Sequence, residues 1–197
     1  MSKADRTRQF IIDKAAPIFN QKGVAGTSIS DIMEATQLAK GGIYGNFTTK
    51  EEISMEAFDH MMKAVISKMM ELTAPVKSSK DKLFAMLEFY RTYPHKPVIS
   101  GGCPILNFGV EADDTNPSIR KKVKEAIDYF EDGIEQLVLR GIRYGEFRSD
   151  WDAKAFAVKM FAMIEGGILL SRIQGNNKQM SLLVDLLQQE IVSCLTS

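Results

Sequence analysis

Apolar residues recur at steps of three and four along most of this 197-residue chain. Such spacing places apolar side chains on one face of an α-helix. Half-buried β-strands instead need a strict alternation of apolar and polar residues, and no part of the sequence shows several such strands. Only 6 prolines interrupt the pattern, and 45% of the residues are hydrophobic. The sequence therefore predicts an all-α fold of about nine helices, with enough apolar surface for a sizeable core.

Capping residues predict where the helices begin and end. Ser28 is followed by Asp31, and Thr49 by Glu52, at the spacing of a capping box. Asparagine at a cap and proline at the first helical position predict a further start at Asn116. The predicted helices cover about residues 5–21, two turns after Ser28, a short segment from Ala39, 50–72, Ser78 or Ser79 to Tyr93, 104–112, 117–143, Asp150 to Ile173, and a last segment ending near Leu195.

Charge is divided unevenly along the chain, although its total is zero. Residues 1–50 carry seven basic and four acidic side chains, so this segment has a net charge of +3 that the remainder balances. A basic segment at one end of a neutral chain favours a nucleic-acid surface there.

Other classes of protein are disfavoured by what the sequence lacks. The start, MSKADRTRQF, has no apolar signal segment, and Lys159 and Glu165 interrupt the most apolar stretch, so we expect a cytoplasmic protein that does not contact the membrane. Cys103 and Cys194 match no metal-ligand or redox spacing, and we expect no metal and no cofactor. Because no nucleophile with a base and no convergent acids stand out, we expect no enzyme.

Residues 28–47 have the dimensions of a helix-turn-helix, because two short predicted helices are joined by only three residues. Glycines at 41, 42 and 45 weaken the second helix by about 1 kcal/mol each relative to alanine, but glycine also lets a backbone approach a ligand closely. The core predicted for this motif consists of Ile32, Ala35, Leu38, Ile43 and Phe47.

The segment TSISDIMEATQLAKGGIYGNFTTKEEI, residues 27–53, resembles the DNA-binding signature of the TetR-type (TetR/AcrR) family of bacterial transcriptional regulators. The resemblance implies a DNA-binding head at residues 1–50 and a helical ligand-binding and dimerisation domain at residues 51–197. It further implies a homodimeric repressor that binds a near-palindromic double-stranded DNA operator and is released by a small-molecule inducer. Activation instead of repression stays open, because it depends on where the operator lies.

The resemblance assigns DNA contacts to both helices of the motif and to the start of the next helix. Lys40 can reach a phosphate or guanine, Asn46 a phosphate or adenine, and Tyr44 a phosphate, with packing between helices as the alternative for Tyr44. The predicted DNA-contacting residues are Thr27, Ser28, Lys40, Gly41, Gly42, Tyr44, Asn46 and Lys50.

Three positions depart from the family pattern and leave fewer side chains for reading bases. Gln37 replaces a frequent turn glycine, Ala39 a capping serine, and Gly42 a serine or threonine that often reaches DNA. We therefore expect operator affinity to depend on phosphate contacts and DNA shape, with Lys40 and Asn46 supplying the direct readout.

The segment GGCPILNFGVEADDTNPSIR resembles a subgroup of the family's ligand domain. Methionines at seven-residue intervals in the fourth helix indicate a plain core stripe or a pocket of adaptable side chains for an apolar or aromatic ligand. Asn107 and Glu111 would be the polar pair nearest the pocket, although an exposed or capping role suits Glu111 equally. The predicted ligand-binding residues are Phe58, Met62, Met86, Phe89, Tyr90, Cys103, Asn107, Phe108, Glu111, Tyr129 and Met163.

The last two predicted helices are apolar on wide faces, and by resemblance they would form a four-helix interface with a second copy. Bound ligand would then bias the fourth helix and change the spacing of the two DNA-binding heads. The main alternative is a helical small-molecule-binding adaptor that does not bind DNA. The predicted interface residues are Phe156, Met160, Ile164, Gly167, Leu170, Leu183, Leu187 and Ile191.

Overall fold

The computed structural model describes residues 2–196, and within that range the chain forms nine α-helices and one isolated β-bridge, between Phe147 and Leu195. The predicted all-α class is confirmed. In chain order the helices are α1 (Lys3–Gly26), α2 (Ile29–Thr36), α3 (Lys40–Tyr44), α4 (Lys50–Thr73), α5 (Ser79–Thr92), α6 (Pro104–Ala112), α7 (Pro117–Arg143), α8 (Ala153–Gln174) and α9 (Lys178–Ser193).

Local capping explains where α1 begins and where its geometry breaks. Ser2 and Asp5 form a capping box, which starts the helix at Lys3, two residues before the predicted start. The helix continues past its predicted end at residue 21, and Gly23 leaves helical geometry, with φ +76°, before a last turn continues to Gly26. Glycine is favoured there because this positive φ strains any residue with a Cβ, which would also lie 2.7 Å from a carboxylate oxygen of Glu111.

The start of α8 corrects one sequence prediction. Asp152, not Asp150, is its cap, since Asp152 Oδ1 accepts a hydrogen bond from the Ala155 N–H at 2.9 Å. Asp150 instead lies 3.3 Å from Arg148 Nε in the preceding turn. The Asp152 side chain is therefore the one that satisfies an amide of the first turn.

The chain packs as two units. The first unit is Met1–Val65 with Val98–Lys124, and the second unit is Ile66–Pro97 with Glu125–Ser197. Helices α4 and α7 each contribute residues to both units. This division reflects which residues pack together. The boundary predicted near residue 50 is of another kind, because it separates a DNA-binding from a ligand-binding domain, and it stays a prediction.

The core of the first unit is formed by apolar faces of α1, α2, α3, α6 and the first part of α4. Of the core predicted for the helix-turn-helix, Ile32, Ile43 and Phe47 are buried as expected. Phe58 of α4 and Phe108 of α6 are also buried, with ring centroids 5.2 Å apart. The short helices are therefore held by tertiary packing, which offsets the low helix propensity of their glycines.

The second unit has an aromatic cluster beside the pair α8 and α9. Trp151 lies 4.9 Å from Phe147 and 4.6 Å from Phe156, measured between ring centroids. Gly141 lets the ring of Phe147 pack directly on the backbone of α7, because a Cβ at this position would lie 2.1 Å from that ring. None of the helices within residues 2–196 is long and apolar enough to cross a bilayer.

Candidate functional site

The first helix of the helix-turn-helix, α2, begins at the capping box that the sequence predicted. Ser28 Oγ accepts from the Asp31 N–H at 3.1 Å, and Asp31 Oδ2 accepts from the Ser28 N–H at 2.7 Å. Lys22 Nζ also donates to Asp31 at 2.6 Å. This bond, followed by those from Ser28, holds the pKa of Asp31 well below its ordinary value. The carboxylate is therefore ionised and fixes the start of α2.

Three polar side chains that were predicted to contact DNA are already bonded within the protein. Thr27 is fully buried, and its hydroxyl donates to the carbonyl four residues earlier at 2.6 Å. The Ser28 hydroxyl donates to Asp31 at 2.6 Å, and Lys50 Nζ donates to the carbonyls of Val24 and Thr27 at 2.7 and 2.8 Å. The predicted phosphate contact of the Thr27 hydroxyl is corrected by this burial, while Ser28 and Lys50 would have to exchange existing bonds for a phosphate.

The turn into α3 shows how the chain accommodates its departures from the family pattern. Gln37 adopts the left-handed conformation, with φ 58°, and its side-chain amide donates to the Glu34 carbonyl at 2.6 Å. A left-handed residue without the freedom of glycine is strained, and this bond helps to hold it. Ala39, at the cap of α3, contributes no side-chain hydrogen bond.

The outer face of α3 carries the predicted DNA-contacting residues that remain accessible. Lys40 and Gly41 are exposed, and Tyr44 is 42% exposed, which disfavours a packing role for its phenol. Lys40 Nζ lies 5.8 Å from the centroid of the Tyr44 ring, within cation–π range. A Cβ on Gly41 would meet nothing within 4 Å, so the backbone there is open to a partner.

The end of α3 is closed by Asn46 and Gly45. Asn46 Nδ2 donates to the Gly42 carbonyl at 2.8 Å, which caps the short helix and orients the amide. A Cβ on Gly45 would lie 3.0 Å from the Gly41 carbonyl oxygen, a tight contact that a glycine avoids. A Cβ on Gly42 would lie 3.4 Å from the Cβ of Leu38, which is an ordinary van der Waals contact.

Arg8 forms a clamp beneath α3 that the sequence analysis missed. Its guanidinium carbon lies 4.1 Å from the centroid of the Phe47 ring, and its Nη1 donates to the Asn46 carbonyl. Nη2 donates to Glu52 at 2.5 Å and Nε donates to Glu56 at 3.0 Å. These ion pairs raise the pKa of Arg8, with Glu56 contributing most, and the bond from Arg8 lowers the pKa of Glu52 to about 2.

The sequence did contain a signal for this clamp. Glu52 and Glu56 stand four residues apart, so they share one face of α4, and a basic partner in α1 was available at Arg8. The guanidinium joins α1, the end of α3 and the start of α4, and it holds α3 in position.

The polar pair Asn107 and Glu111 binds the main chain of α1. Asn107 Nδ2 donates to the backbone oxygen of Asn20 at 2.8 Å and to the Gly101 carbonyl at 2.9 Å. Glu111 accepts from the Val24 N–H at 2.6 Å and from the next N–H, of Ala25. The capping alternative for Glu111 fits these contacts, because the break at Gly23 leaves both amides without helical partners.

A cavity of about 350 Å³ lies in the second unit between α4, α5 and α7, and we call it the second-unit cavity. Met86 and Tyr129, two of the predicted ligand-binding residues, line it. Its lining consists of Ile66, Met69, Met70, Thr73, Lys82, Met86, Tyr129, Phe130, Asp132, Gly133, Gln136 and Leu137.

The other predicted ligand-binding residues lie away from this cavity. Phe89 and Tyr90 pack edge-on with Tyr93, at 5.0 to 5.6 Å between centroids, and Met163 lies on α8. Phe108 and Glu111 line a smaller cavity of about 170 Å³ in the first unit, and the remaining four belong to that unit as well. These four are Phe58, Met62, Cys103 and Asn107. The predicted set is therefore distributed over both units instead of surrounding one cavity.

The predicted interface residues of α8 and α9 are mostly buried within one chain. A Cβ on Gly167 would lie 2.9 Å from Met180, so this glycine permits the close approach of α8 and α9. Of the residues predicted for the interface, only Leu170 is exposed in the single chain, and Leu183 is half-buried. The others are buried within the chain and so have little surface for a second copy: Phe156, Met160, Ile164, Gly167, Leu187 and Ile191. Five of the exposed apolar residues are here called the α8–α9 stripe: Leu169, Leu170 and Ile173 of α8 with Leu182 and Leu186 of α9. Val158 of α8 and Val192 of α9 are exposed as well.

Within residues 2–196, no three His, Cys, Asp or Glu side chains are arranged to hold a metal ion. The exposed α3 face and the second-unit cavity offer cationic, aromatic and apolar groups to a ligand.

The chain is similar to known proteins along most of its length. Residues 11–57 match the family described as "Bacterial regulatory proteins, tetR family", and residues 79–187 match "Tetracyclin repressor-like, C-terminal domain". A TetR transcriptional regulator from Chloroflexus aurantiacus is 39% identical, with a TM-score of 0.95 over 99% of this chain and 98% of that one. A TetR-family regulator from Cytophaga hutchinsonii is 38% identical, with a TM-score of 0.93 over 100% and 98%. The HTH-type transcriptional repressor DhaR of Mycobacterium sp. (strain GP1) is 24% identical over 177 residues, 87% of this chain and 85% of that protein.

Proposed function

The chain belongs to the TetR family of bacterial regulatory proteins, and from that premise we propose that it is a homodimeric repressor that binds a near-palindromic operator and is released by a small apolar or aromatic ligand. The observation that supports operator binding most directly is the exposed face of α3. Lys40, Gly41 and Tyr44 present a cation, an open backbone and a phenol on the helix that enters the major groove in a helix-turn-helix.

The α3 face suits phosphates better than bases. Lys40 and Tyr44 can each contact a phosphate, whereas the Asn46 amide is partly occupied by the Gly42 carbonyl. Affinity should therefore come mainly from phosphate contacts and DNA shape, and Lys40 supplies the direct base contact in this proposal.

Dimerisation is supported by the α8–α9 stripe. Leu169, Leu170 and Ile173 lie at helical spacing on α8, and Leu182 and Leu186 are one turn apart on α9, all exposed. A two-fold interface through these residues would bury them against their copies and place two recognition helices about 34 Å apart, one turn of DNA.

Release by ligand is supported by the composition of the second-unit cavity. Its walls are mostly apolar and come from α4, α5 and α7, and two of these helices also contribute residues to the first unit. A ligand that binds the released conformation more tightly would shift the equilibrium, and a nearly complete switch needs a difference of about 5.5 kcal/mol.

Binding of the full chain to duplex DNA as a function of salt tests the proposal. Duplexes selected from a random pool should contain a near-palindrome, bind two chains each, and lose affinity steeply as salt rises, because several phosphates are contacted. Association with no duplex, or association that does not depend on salt, would instead favour an adaptor that binds only the small molecule.

A further inference from the structure

The second-unit cavity has an adaptable apolar wall. Its volume, about 350 Å³, lies near the lower end of the range of about 300–1,000 Å³ that is usual for small-molecule sites. Thioether side chains adjust to the shape of a ligand more readily than branched ones. The cavity therefore suits a small, mainly apolar body. The wall consists of Ile66, Met69, Met70, Met86, Phe130 and Leu137.

One cation in this lining has no acidic partner among the described residues. Lys82 is half-buried, and no ion pair or side-chain hydrogen bond occupies its ammonium there. Its neighbour Lys80 differs, since its Nζ lies 3.8 Å from Asp81. A partly buried ammonium without a counterion is costly, so an anion that arrives with the ligand would be stabilised at Lys82.

Asp132, the acidic residue of the lining, forms its ion pair with Lys154 and not with Lys82. Asp132 lies 3.9 Å from Lys154, whose ammonium is also close to Glu131 and Glu135 on the same helix. Gln136, one turn after Asp132, adds an amide N–H donor to the lining. The cavity thus offers a free cation and a neutral donor beside an apolar wall.

We propose that the second-unit cavity binds an amphipathic monocarboxylate, whose apolar body lies on the methionine wall and whose carboxylate pairs with Lys82. The inference rests on the proposed function, because it names the chemical class of the releasing ligand. A ligand of opposite charge would place its cation beside the Lys82 ammonium, and a neutral one would leave Lys82 without a counterion.

Calorimetric titration of the full chain with three molecules of equal chain length tests the charge. Octanoate should bind at least about tenfold more tightly than octanol, because a charge-assisted hydrogen bond contributes about 1.5–3 kcal/mol. Octylamine should bind more weakly than octanol. Equal affinities for octanoate and octanol, tighter binding of octylamine, or binding of none of the three would overturn the proposal.

Substitutions at Lys82 locate the charge. Lys82→Met keeps the length of the side chain and should reduce octanoate affinity to that of octanol, while octanol binding stays the same. Lys82→Arg should keep the preference for octanoate. Lys80→Met, on the same helix, is the matched control and should change neither. An unchanged preference in Lys82→Met would contradict the assignment.

Filling the cavity locates the apolar body. A Cβ on Gly133 would meet nothing within 4 Å, so Gly133→Leu can extend into the cavity without a clash. This variant should bind neither octanoate nor octanol, and retained octanoate binding would place the ligand elsewhere.

Duplex binding of the same proteins without ligand separates the two proposals. Wild-type protein that binds DNA but does not prefer octanoate would overturn only the ligand class. Wild-type protein that binds no duplex but prefers octanoate through Lys82 would overturn the repressor and leave the carboxylate site supported.

Discussion

Glu111 accepts a hydrogen bond from the backbone N–H of Val24 at 2.6 Å, so the side chain of α6 closes the end of α1. Two amides depend on this carboxylate, because Gly23 takes the main chain out of helical geometry just before them. The carboxylate replaces the carbonyls that would accept these bonds in a continuous helix.

Glu111→Ala should lower the free energy of unfolding by about 1–3 kcal/mol, since a part-buried donor at Val24 and an exposed donor at Ala25 lose their acceptor. The amides of Val24 and Ala25 should then exchange with solvent faster, which hydrogen exchange measures residue by residue. Val110→Ala, at a neighbouring side chain that is 73% exposed, is the control and should change stability by less than about 0.5 kcal/mol. Unchanged exchange at Val24 in Glu111→Ala would contradict the role given to the carboxylate.

The Arg8 clamp predicts a specific dependence of stability on pH. The pKa of Glu52 is lowered from 4.5 to about 2 in the folded chain, so its stabilisation is fully present above pH 4.5 and is lost as pH falls towards 2. Arg8→Met should therefore be less stable than wild type at pH 6, and the difference should shrink between pH 4.5 and 2.

Denaturant unfolding of both proteins over this range measures that difference, and other carboxylates with lowered pKa values, such as Asp31, cancel in the comparison. Arg8→Lys is the control that keeps the positive charge but lacks the planar guanidinium with its several N–H donors. It should recover only part of the stability that Arg8→Met loses. A difference that stays constant with pH would show that Arg8 acts through Phe47 and the Asn46 carbonyl instead of through its ion pairs.

Gly41 should matter more to DNA binding than to folding. Alanine in a helix is about 0.5–1 kcal/mol more favourable than glycine, and a Cβ at this position meets nothing in the free chain. Gly41→Ala should therefore unfold at a higher temperature but bind the operator more weakly, because the methyl group holds the backbone away from DNA. Gly133→Ala, at another helical glycine with open space around it, should gain similar stability and keep its operator affinity. Equal operator affinity in both variants would remove the functional reason for glycine at position 41.

Lys40 separates phosphate contact from base readout. Loss of one phosphate contact in Lys40→Ala should reduce the slope of log affinity against log salt by about 1, whereas loss of a guanine contact should cost about 1–3 kcal/mol at one base pair only. Fluorescence anisotropy on the operator and on single-base variants distinguishes the two. Lys178→Ala, at the exposed start of α9, should change neither quantity. A uniform loss over all sequences would contradict the base-reading part of the proposal.

The α8–α9 stripe should control the oligomeric state. Ile173 is 80% exposed in the single chain, so Ile173→Lys costs little within one copy but would bury a charge in a dimer. Sedimentation should show a dimer for wild type and a monomer for Ile173→Lys, with the same helical content by circular dichroism. Val110→Lys, outside the stripe, should remain a dimer, and a dimeric Ile173→Lys would place the interface elsewhere.

Helix boundaries were largely predictable because they depend on short-range chemistry. The capping box at Ser28 and Asp31 and the start at Asn116-Pro117 involve residues at most three apart, and the structure has both. The prediction of Asp150 as a cap was wrong because the choice between Asp150 and Asp152 depends on where the preceding turn ends.

The site was less predictable because its contacts join residues far apart in sequence. Arg8 meets Glu52 across more than forty positions, and Asn107 and Glu111 reach α1 across more than eighty. The apolar pattern of α8 and α9 likewise predicted an interface, but it could not show that Met160 and Ile191 are already buried within a single chain.

The lining of the second-unit cavity and the Arg8 and Glu111 clamps belong to different units of the chain. Substitutions that reshape the cavity, at Met69, Met86 or Lys82, therefore leave the side chains that set the position of α3 untouched. A lineage of such proteins could acquire a new inducer while keeping its operator, and engineered biosensors could exploit the same separation by randomising only the cavity.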